Sequence, residues 1–234
     1  MTGTLVNAIS IVAGATIGVR LKKGLPERIK KTVIQGIGLS VILIGLQMSL
    51  QTQNILIVIL SLAFGGLTGE LINIEGLLAR LGKRLESHFG GGNGDFTKAF
   101  VTASLLYCVG AMAIMGSIED GLNNNPRILF AKSLLDGVSA VIFASTMGSG
   151  VIFSSLPVLL YQGSITILAF YLKDFLTPAA VAEMTSTGGL LILAIGLSLL
   201  GFKELKTGNL LPAIFFAPAL VILAGMIPGP PFFK

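Results

Sequence analysis

Long apolar runs separated by short polar segments dominate the chain. Each run approaches the length of about 20 residues that an α-helix needs to cross a bilayer. The runs lie at residues 5–19, 32–50, 55–72, 99–118, 128–147, 150–172, 187–201 and 210–227. Only helices or closed barrels span a membrane, and runs this long favour helices. The pattern therefore predicts an all-α polytopic integral membrane protein with about eight spans, forming one transmembrane domain over residues 1–234.

The sixth run leaves the number of spans open. Pro157 and the polar stretch Tyr161-Gln162-Gly163-Ser164 interrupt it. It is either a full crossing or a re-entrant hairpin, which would leave seven spans. Non-helical backbone at membrane depth is tolerated only inside protein or beside water, so Tyr161, Gln162 and Ser164 are candidate solute contacts. A full crossing would bring Lys203 and Lys206 to the cytoplasmic side, which favours eight spans.

The polar segments predict the orientation of the spans. Residues 20–31 hold six basic residues against one acidic residue, and further basic residues lie in residues 73–98. Under the positive-inside rule both segments are cytoplasmic, with residues 74–89 as an amphipathic surface helix and residues 90–94 as a flexible link. The turn at residues 51–54, the acidic turn Glu119-Asp120 and both termini would then lie outside the cell.

Two internal similarities suggest a duplication. Residues 36–48 resemble residues 188–199, and each segment precedes a span led by asparagine, Asn54 or Asn209. With eight crossings these two pairs of spans have opposite orientation, as in the inverted repeats of secondary transporters. A weaker similarity links residues 4–7 to residues 133–136, on spans that would be parallel. Chance alignment of apolar sequence is the alternative explanation for both.

Composition and charge exclude several other classes of protein. The chain is 53% hydrophobic and only 12% charged, about half the charged fraction of a soluble domain. The net charge of +5 comes largely from the loop segments, so we expect no nucleic-acid partner. With no phosphate-binding loop, one histidine and one cysteine, we also expect no enzyme activity, metal or cofactor. A Ser–Lys pair around Lys132 is the remaining catalytic alternative.

Polar residues inside the apolar runs are the candidates for function, because a bilayer makes them costly. Lys132 and Asp136 are four residues apart and share one helix face. Either they neutralise each other and hold the helix in place, or Asp136 lies on a substrate or proton path and Lys132 tunes its charge. Asn7 and Gln35 would line the same interior, or each would make an interhelical hydrogen bond.

A second candidate segment precedes the seventh run. Glu183, Thr185, Thr187, Gly188 and Gly189 are expected near a helix start, where free N–H groups attract anions and glycine admits a ligand. The alternatives are an ordinary helix cap and, for Glu183, a solvated charge in an outer loop.

Two small-residue motifs could mediate close packing of helices. They are Gly14-x3-Gly18 and Gly65-x3-Gly69. Such faces suit either packing within the chain or a homo-oligomer.

Several motifs resemble a bacterial membrane family known as domain of unknown function 554. They are Gly3-Thr-Leu-Val-Asn7, Lys22-Lys-Gly-Leu-Pro-Glu-Arg28, Lys132-Ser-Leu-Leu-Asp-Gly137, Leu159-Leu-Tyr-Gln-Gly-Ser-Ile165, Ala182-Glu-Met-Thr185 and Thr187-Gly-Gly-Leu-Leu-Ile192. The resemblance runs essentially from end to end. It implies a polytopic protein of the bacterial cytoplasmic membrane, of a kind usually described as a transporter. It brings no established substrate or catalytic residue.

Together these features predict a secondary transporter or channel that carries a small polar or charged solute across the inner membrane. The alternative is a non-transporting structural or regulatory subunit, in which the polar groups only hold helices together.

Overall fold

The computed structural model describes residues 1–22, 26–89, 95–173, 176–202 and 205–226. Within these ranges the regular elements are all helical, as predicted. The α-helices are α1 Thr2–Lys22, α2 Glu27–Ser49, α3 Ile55–Ile72, α4 Ile74–Phe89, α5 Asp95–Cys108, α6 Ala111–Leu122, α7 Arg127–Met147, α8 Gly150–Phe153, α9 Ser155–Leu172, α10 Pro178–Leu199 and α11 Ala213–Met226, with a 3₁₀ turn at Thr207–Leu210 before α11.

Seven helical segments of the described chain are long and apolar enough to cross a membrane, and the pair α5–α6 makes an eighth if it forms one bent span. The sixth run forms the 23-residue segment Gly150–Leu172. The interruption expected at Tyr161–Ser164 is wrong, because α9 is helical throughout. Pro157 is tolerated because it occupies the first turn of α9, where its missing N–H has no intrahelical acceptor. The break lies earlier, between α8 and α9.

The fourth run, expected as one span, is sharply bent. Its two halves, Phe96–Cys108 and Met112–Leu122, meet at a bend of 60°. Gly110 lies in the bend with φ +134°, a conformation that side chains with a Cβ rarely adopt. The acidic outer turn expected at Glu119-Asp120 is also wrong, because both residues belong to α6 and Asp120 is buried.

The chain folds into two compact units. Unit 1 comprises Met1–Ile37, Gly76–Cys108 and Met112–Tyr171, and unit 2 comprises Gly38–Glu75, Val109–Ala111 and Leu172–Lys234. The single transmembrane domain expected from the sequence stays a prediction.

In unit 1 the closest helix pair is α1 and α7. A Cβ at Gly14 would overlap the carbonyl oxygen of Gly137, and a Cβ at Gly18 would overlap that of Val141. Residues further along α1 contact residues further along α7, so the two helices run parallel. This agrees with the orientation expected from the weaker internal similarity. The Gly14–Gly18 face is used for packing within the chain, and a homo-oligomer stays a prediction.

In unit 2 the close pairs are antiparallel. Gly45 of α2 packs on Gly189 of α10, and Gly38 packs on Gly196. Along the other pair, Gly65 packs on Ala213 and Gly69 on Asn209, at the start of α11 and in the 3₁₀ turn before it. The Gly65–Gly69 face is therefore also internal. Glycine at these positions removes the side chain that would hold the two backbones apart.

The amphipathic helix predicted at residues 74–89 is α4. Gly82 is buried against Thr97 and Phe100 of α5, whereas Arg80 and Arg84 on the same helix are exposed. The flexible link expected at residues 90–94 and the basic residue Lys203 lie outside the described residues.

Candidate functional site

A buried chain of polar side chains joins three helices of unit 1. Asp136 on α7 accepts hydrogen bonds at Oδ2 from Lys132 Nζ, one turn earlier, and from Asn7 Nδ2 on α1 at 3.0 Å. Asn7 Nδ2 also donates to Gln162 Oε1 on α9 at 3.3 Å. Asn7 and Gln162 are 0% exposed, Lys132 6% and Asp136 8%. Four of the predicted site residues therefore belong to one network.

The charge pair determines how both amides are oriented. With Lys132 beside it, Asp136 presents an acceptor oxygen to α1, so Asn7 must turn its NH₂ group towards the carboxylate. The second N–H of Asn7 then requires an acceptor, which selects Oε1 of Gln162 rather than Nε2. Reversing either amide would place two donors or two acceptors against each other.

This fixed orientation leaves two polar atoms without partners. Asn7 Oδ1, an acceptor, and Gln162 Nε2, a donor, are buried and have no hydrogen bond to any part of the chain that the structure describes. Because the two atoms of a carboxamide share one carbon, both unpaired atoms lie next to the Asn7–Gln162 contact. An unmet buried hydrogen-bonding group costs about 1–3 kcal/mol. The arrangement is thus incomplete as a structural network.

Two threonines continue the polar line along the same helices. Thr4 on α1 and Thr166 on α9 are buried, and their hydroxyl oxygens are 3.4 Å apart. Thr166 uses its hydroxyl hydrogen to donate to the carbonyl oxygen of Gln162. The hydrogen bond between the two hydroxyls is therefore donated by Thr4. Nearby, Asp120 of α6 accepts from the backbone N–H of Gly3 at 3.0 Å and so caps the start of α1.

Sequence reasoning missed these three residues. Thr4 and Thr166 carry no charge, and Asp120 was assigned to an outer turn. The signal for Thr4 was its spacing of three from Asn7, which places both on one face of α1. Asp120 offered no comparable signal, because its burial depends on the packing of α6.

Glu183 lies in unit 2 and has a different environment. It is 1% exposed on α10, so the solvated-charge alternative is wrong. Its Oε2 accepts from Thr52 Oγ1 at 2.7 Å, and its Oε1 accepts from the backbone N–H groups of Gln53 at 2.7 Å and Asn54 at 2.8 Å. All three donors belong to the turn between α2 and α3. Both carboxylate oxygens therefore hold this turn.

The segment after Glu183 is not a helix start. The helix α10 begins at Pro178 with Thr177 as its cap, because proline is suited to the first turn and Thr177 Oγ1 accepts from the backbone N–H of Ala180. Thr185 and Thr187 consequently lie in the helix interior, where backbone N–H groups are already bonded. The anion-binding interpretation of this segment is wrong.

The four predicted site residues of this segment have distinct surroundings. Thr185 donates to the carbonyl oxygen of Val181, one turn earlier. Thr187 is fully buried, and its hydroxyl has no partner among the residues described. Because Gly188 has no side chain, Val109 in the α5–α6 bend can pack against it. Gly189 in the same way leaves room for the end of α2.

The remaining predicted residues lie apart from the network. Gln35 is exposed on α2, and Ser164 is exposed on α9 with its hydroxyl bonded to the carbonyl oxygen of Tyr161. Tyr161 itself is half-buried on α9 beside Gln162. Gln35 therefore does not line an interior shared with Asn7, because it faces away from the chain.

A second charged group in unit 2 is exposed. Lys206 Nζ lies 2.6 Å from Glu70 Oε1, and Asn209 Nδ2 donates to Glu70 Oε2 at 2.7 Å. The hydrogen bond from Lys206 to Glu70, followed by the charge of that carboxylate, raises the pKa of Lys206 above its ordinary value. Solvent screens such a pair, so it orients the turn before α11 rather than forming a buried site.

These helices and their buried charges define a polytopic α-helical membrane protein. The chain belongs to the family described as "Protein of unknown function (DUF554)", whose model matches residues 2–222. This confirms the resemblance seen in the sequence motifs.

Two bacterial relatives match along nearly their whole length. "Uncharacterized membrane protein YdfK" of Bacillus subtilis (strain 168) is 34% identical over 227 residues, 95% of this chain and 96% of the relative. "Uncharacterized protein YqgA" of Escherichia coli (strain K12) is 31% identical over 223 residues, 93% of this chain and 95% of the relative. No solved structure matches the chain.

Proposed function

We propose that the protein is a secondary transporter or channel that moves a small polar or charged solute across the bacterial cytoplasmic membrane. The observation that carries the proposal is the buried chain Lys132–Asp136–Asn7–Gln162 within helices of spanning length. A role without enzyme chemistry or a cofactor is part of the same proposal.

The buried Lys132–Asp136 pair is energetically costly in a membrane helix. An aspartate or lysine at the centre of a membrane helix costs about 2.5–3.5 kcal/mol on insertion scales, and such residues usually mark a solute or proton path. A network that served only stability would be expected to satisfy all its polar atoms. Here Asn7 Oδ1 and Gln162 Nε2 have no partner within the described chain, which favours contact with a solute.

An inverted repeat in unit 2 would support transport by alternating access. A Cβ at Gly45 would lie 2.7 Å from the carbonyl oxygen of Gly189, and a Cβ at Gly189 would lie 2.7 Å from that of Gly45. The pair Gly38 and Gly196 has the same reciprocal relation at 3.4 and 3.0 Å. In the sequence alignment Gly38 corresponds to Gly189 and Gly45 to Gly196, so a two-fold axis would exchange the Gly45–Gly189 contact with the Gly38–Gly196 contact. We propose that α2–α3 and α10–α11 are the two halves of such a repeat.

The two turns of unit 2 support this assignment. In the turn before α3, the backbone N–H of Gln53 donates to Glu183. In the turn before α11, the backbone N–H of Gly208 donates to Glu75 at 2.9 Å. Each turn has the pattern Thr-x-Asn, at residues 52–54 and 207–209. Equivalent turns held by carboxylates fit one ancestral helix–turn–helix unit.

The proposed orientation follows the basic segments. Residues 20–31 and 73–98 would lie in the cytoplasm, and the N-terminus would lie outside. Reporter fusions after Ser49 and after Phe89 test this, since the first reporter should be active outside the cell and the second inside. The opposite result would reverse the orientation.

The transport proposal is tested with purified protein. A panel of small solutes is screened for stabilisation of the folded state, since a ligand that binds the folded form raises its thermal stability by mass action. Solutes that stabilise are then measured for flux into proteoliposomes, with Asp136→Asn as the test variant. Glu70→Gln is the matched control, because Glu70 is an exposed acid on another spanning helix.

We expect the active solute to lose flux in Asp136→Asn and to keep it in Glu70→Gln. Unchanged flux in Asp136→Asn would remove Asp136 from the pathway. If no solute stabilises the protein or crosses, the non-transporting structural or regulatory role is the better interpretation.

A further inference from the structure

We infer that the unpaired atoms beside the Asn7–Gln162 contact recognise a small uncharged solute that both donates and accepts hydrogen bonds, such as a carboxamide or urea. This inference rests on the proposed transport function and assigns its substrate class. The two atoms are Asn7 Oδ1, which needs a donor, and Gln162 Nε2, which needs an acceptor.

The two unpaired atoms are complementary, since one accepts and the other donates a hydrogen bond. Lys132 and Asp136 dictate the orientation of Asn7, and Asn7 dictates that of Gln162. One acceptor on α1 and one NH₂ donor on α9 are therefore left unpaired on two amides that contact each other. A primary amide offers the matching set, because its N–H can donate to Asn7 Oδ1 and its carbonyl oxygen can accept from Gln162 Nε2.

The charges next to the two amides also favour an uncharged solute. The ammonium of Lys132 and the carboxylate of Asp136 are in direct contact and compensate each other. An ion beside Asn7 and Gln162 would add an uncompensated charge to a buried setting, whereas a neutral solute would not. The compensated pair thus orients the amides without attracting an ion of either sign.

Two threonines continue the polar line from the amides along α1 and α9. Thr4 and Thr166, one turn from Asn7 and Gln162, are buried and hydrogen-bonded to each other, so they add hydroxyl groups and no charge. The buried acid near the start of α1, Asp120, is paired with the ammonium of Met1 at 2.9 Å. The charges along this line are thus paired, which favours a neutral hydrogen-bonding solute.

The experiment measures the swelling of proteoliposomes by stopped-flow light scattering under osmotic gradients. Acetamide and urea are the uncharged probes, and tetramethylammonium chloride and sodium methanesulfonate are charged probes of similar size. For the unmodified protein we expect acetamide and urea to enter faster than in protein-free liposomes, and the charged probes to enter no faster. This measurement uses only the unmodified protein, so its result does not depend on whether a variant folds.

The variant arm tests the two amides. Gln162→Met keeps the length of the side chain and removes both the donor Nε2 and the acceptor Oε1 that orients Asn7. Amide flux should therefore fall at least about fivefold to tenfold, the change expected from one lost hydrogen bond. Gln35→Met is the matched control on the exposed face of α2 and should keep full flux.

The outcomes separate the two proposals. If neither class of probe moves and no other solute does, the transport function itself fails. If charged solutes move and the amides do not, transport stands and the substrate class is wrong. Amide flux that is unchanged in Gln162→Met would also overturn the inference, since the solute would then pass elsewhere.

Discussion

Units 1 and 2 each bury an acidic side chain on a spanning helix, and the two acids have different surroundings. The partners of Asp136 are side chains of spanning helices, and its network ends in two unpaired atoms. The partners of Glu183 are three donors of one turn, which occupy both carboxylate oxygens. A buried acid in a membrane helix is therefore not by itself evidence of a pathway. What distinguishes the two cases is whether the hydrogen-bond network is complete.

The largest effect is expected from separating the Lys132–Asp136 pair. Asp136→Leu leaves the Lys132 ammonium buried without its partner, and breaking a buried pair in this way costs about 3–5 kcal/mol. The double variant Lys132→Met/Asp136→Leu should recover most of that loss, because no charge remains to be compensated. Denaturant unfolding in lipid-containing micelles measures all three proteins. A double variant that is no more stable than Asp136→Leu would show that the two charges are not coupled.

A somewhat smaller loss is expected from Glu183→Ala. It removes the acceptor of three hydrogen bonds, each worth about 1.5–3 kcal/mol with a charged partner. Part of this is recovered when water reaches the turn, so we expect the free energy of unfolding to fall by about 3 kcal/mol. Flux measurements distinguish Glu183 from the network of unit 1, because Glu183→Ala should retain the amide flux that Gln162→Met loses. A loss of amide flux would assign Glu183 to the pathway.

The glycine pairs of unit 2 should respond symmetrically. Gly45→Ala and Gly189→Ala each place a Cβ 2.7 Å from the other glycine's carbonyl oxygen, and overpacking of this kind costs about 1–3 kcal/mol. Gly36→Ala on the same helix is the control, since its Cβ would meet nothing within 4 Å. The test of the repeat adds Gly196→Ala, because Gly196 is the equivalent of Gly45 and a Cβ there would lie 2.9 Å from the backbone N of Ile42 and 3.0 Å from the carbonyl oxygen of Gly38. Unfolding measurements that give clearly unequal losses for Gly45→Ala and Gly196→Ala would weaken the proposed repeat.

The smallest effect is expected at the exposed Lys206–Glu70 pair. Because the folded-state pKa of Lys206 is raised above 10.5, its contribution to stability is fully present below pH 10.5 and is lost as the pH rises through the folded-state value. Lys206→Gln should thus lower the melting temperature only slightly, by the same amount at pH 6 and pH 8, and not at all in molar salt. A large or salt-independent loss would contradict the assignment as a screened surface pair.

Much of the helical architecture could be predicted from hydropathy. The bounds predicted for residues 55–72 and 74–89 match α3 and α4, because Asn54 and Asn73 supply clear start and stop signals. The error at α10 arose from treating Glu183 and the hydroxyl residues after it as a polar boundary. In the structure they are helical, since Glu183 satisfies its charge through the α2–α3 turn and not in solvent.

The candidate site could be predicted only in part. The sequence singled out Lys132, Asp136, Asn7 and Gln162, but it offered equal reason to include Gln35 and Ser164. Helical spacing tells which residues share a face of one helix, and it does not tell which faces of two helices meet. The close approach of α1 and α7 at Gly14 and Gly137 brings Asn7 within reach of Asp136, and that approach depends on tertiary packing.

By itself, the sequence determined that the protein is a helical membrane protein, because about twenty consecutive apolar residues have a stable position only in a bilayer. It also determined that Lys132 and Asp136 can pair, since residues four apart are neighbours on any helix. Tertiary packing, which helical spacing leaves open, brings Asp136 within hydrogen-bonding distance of Asn7 and, through Asn7, links it to Gln162. It also places Glu183 against the turn between α2 and α3. The physical reason is that hydrogen bonds act over about 3 Å, so their partners depend on which helices pack together.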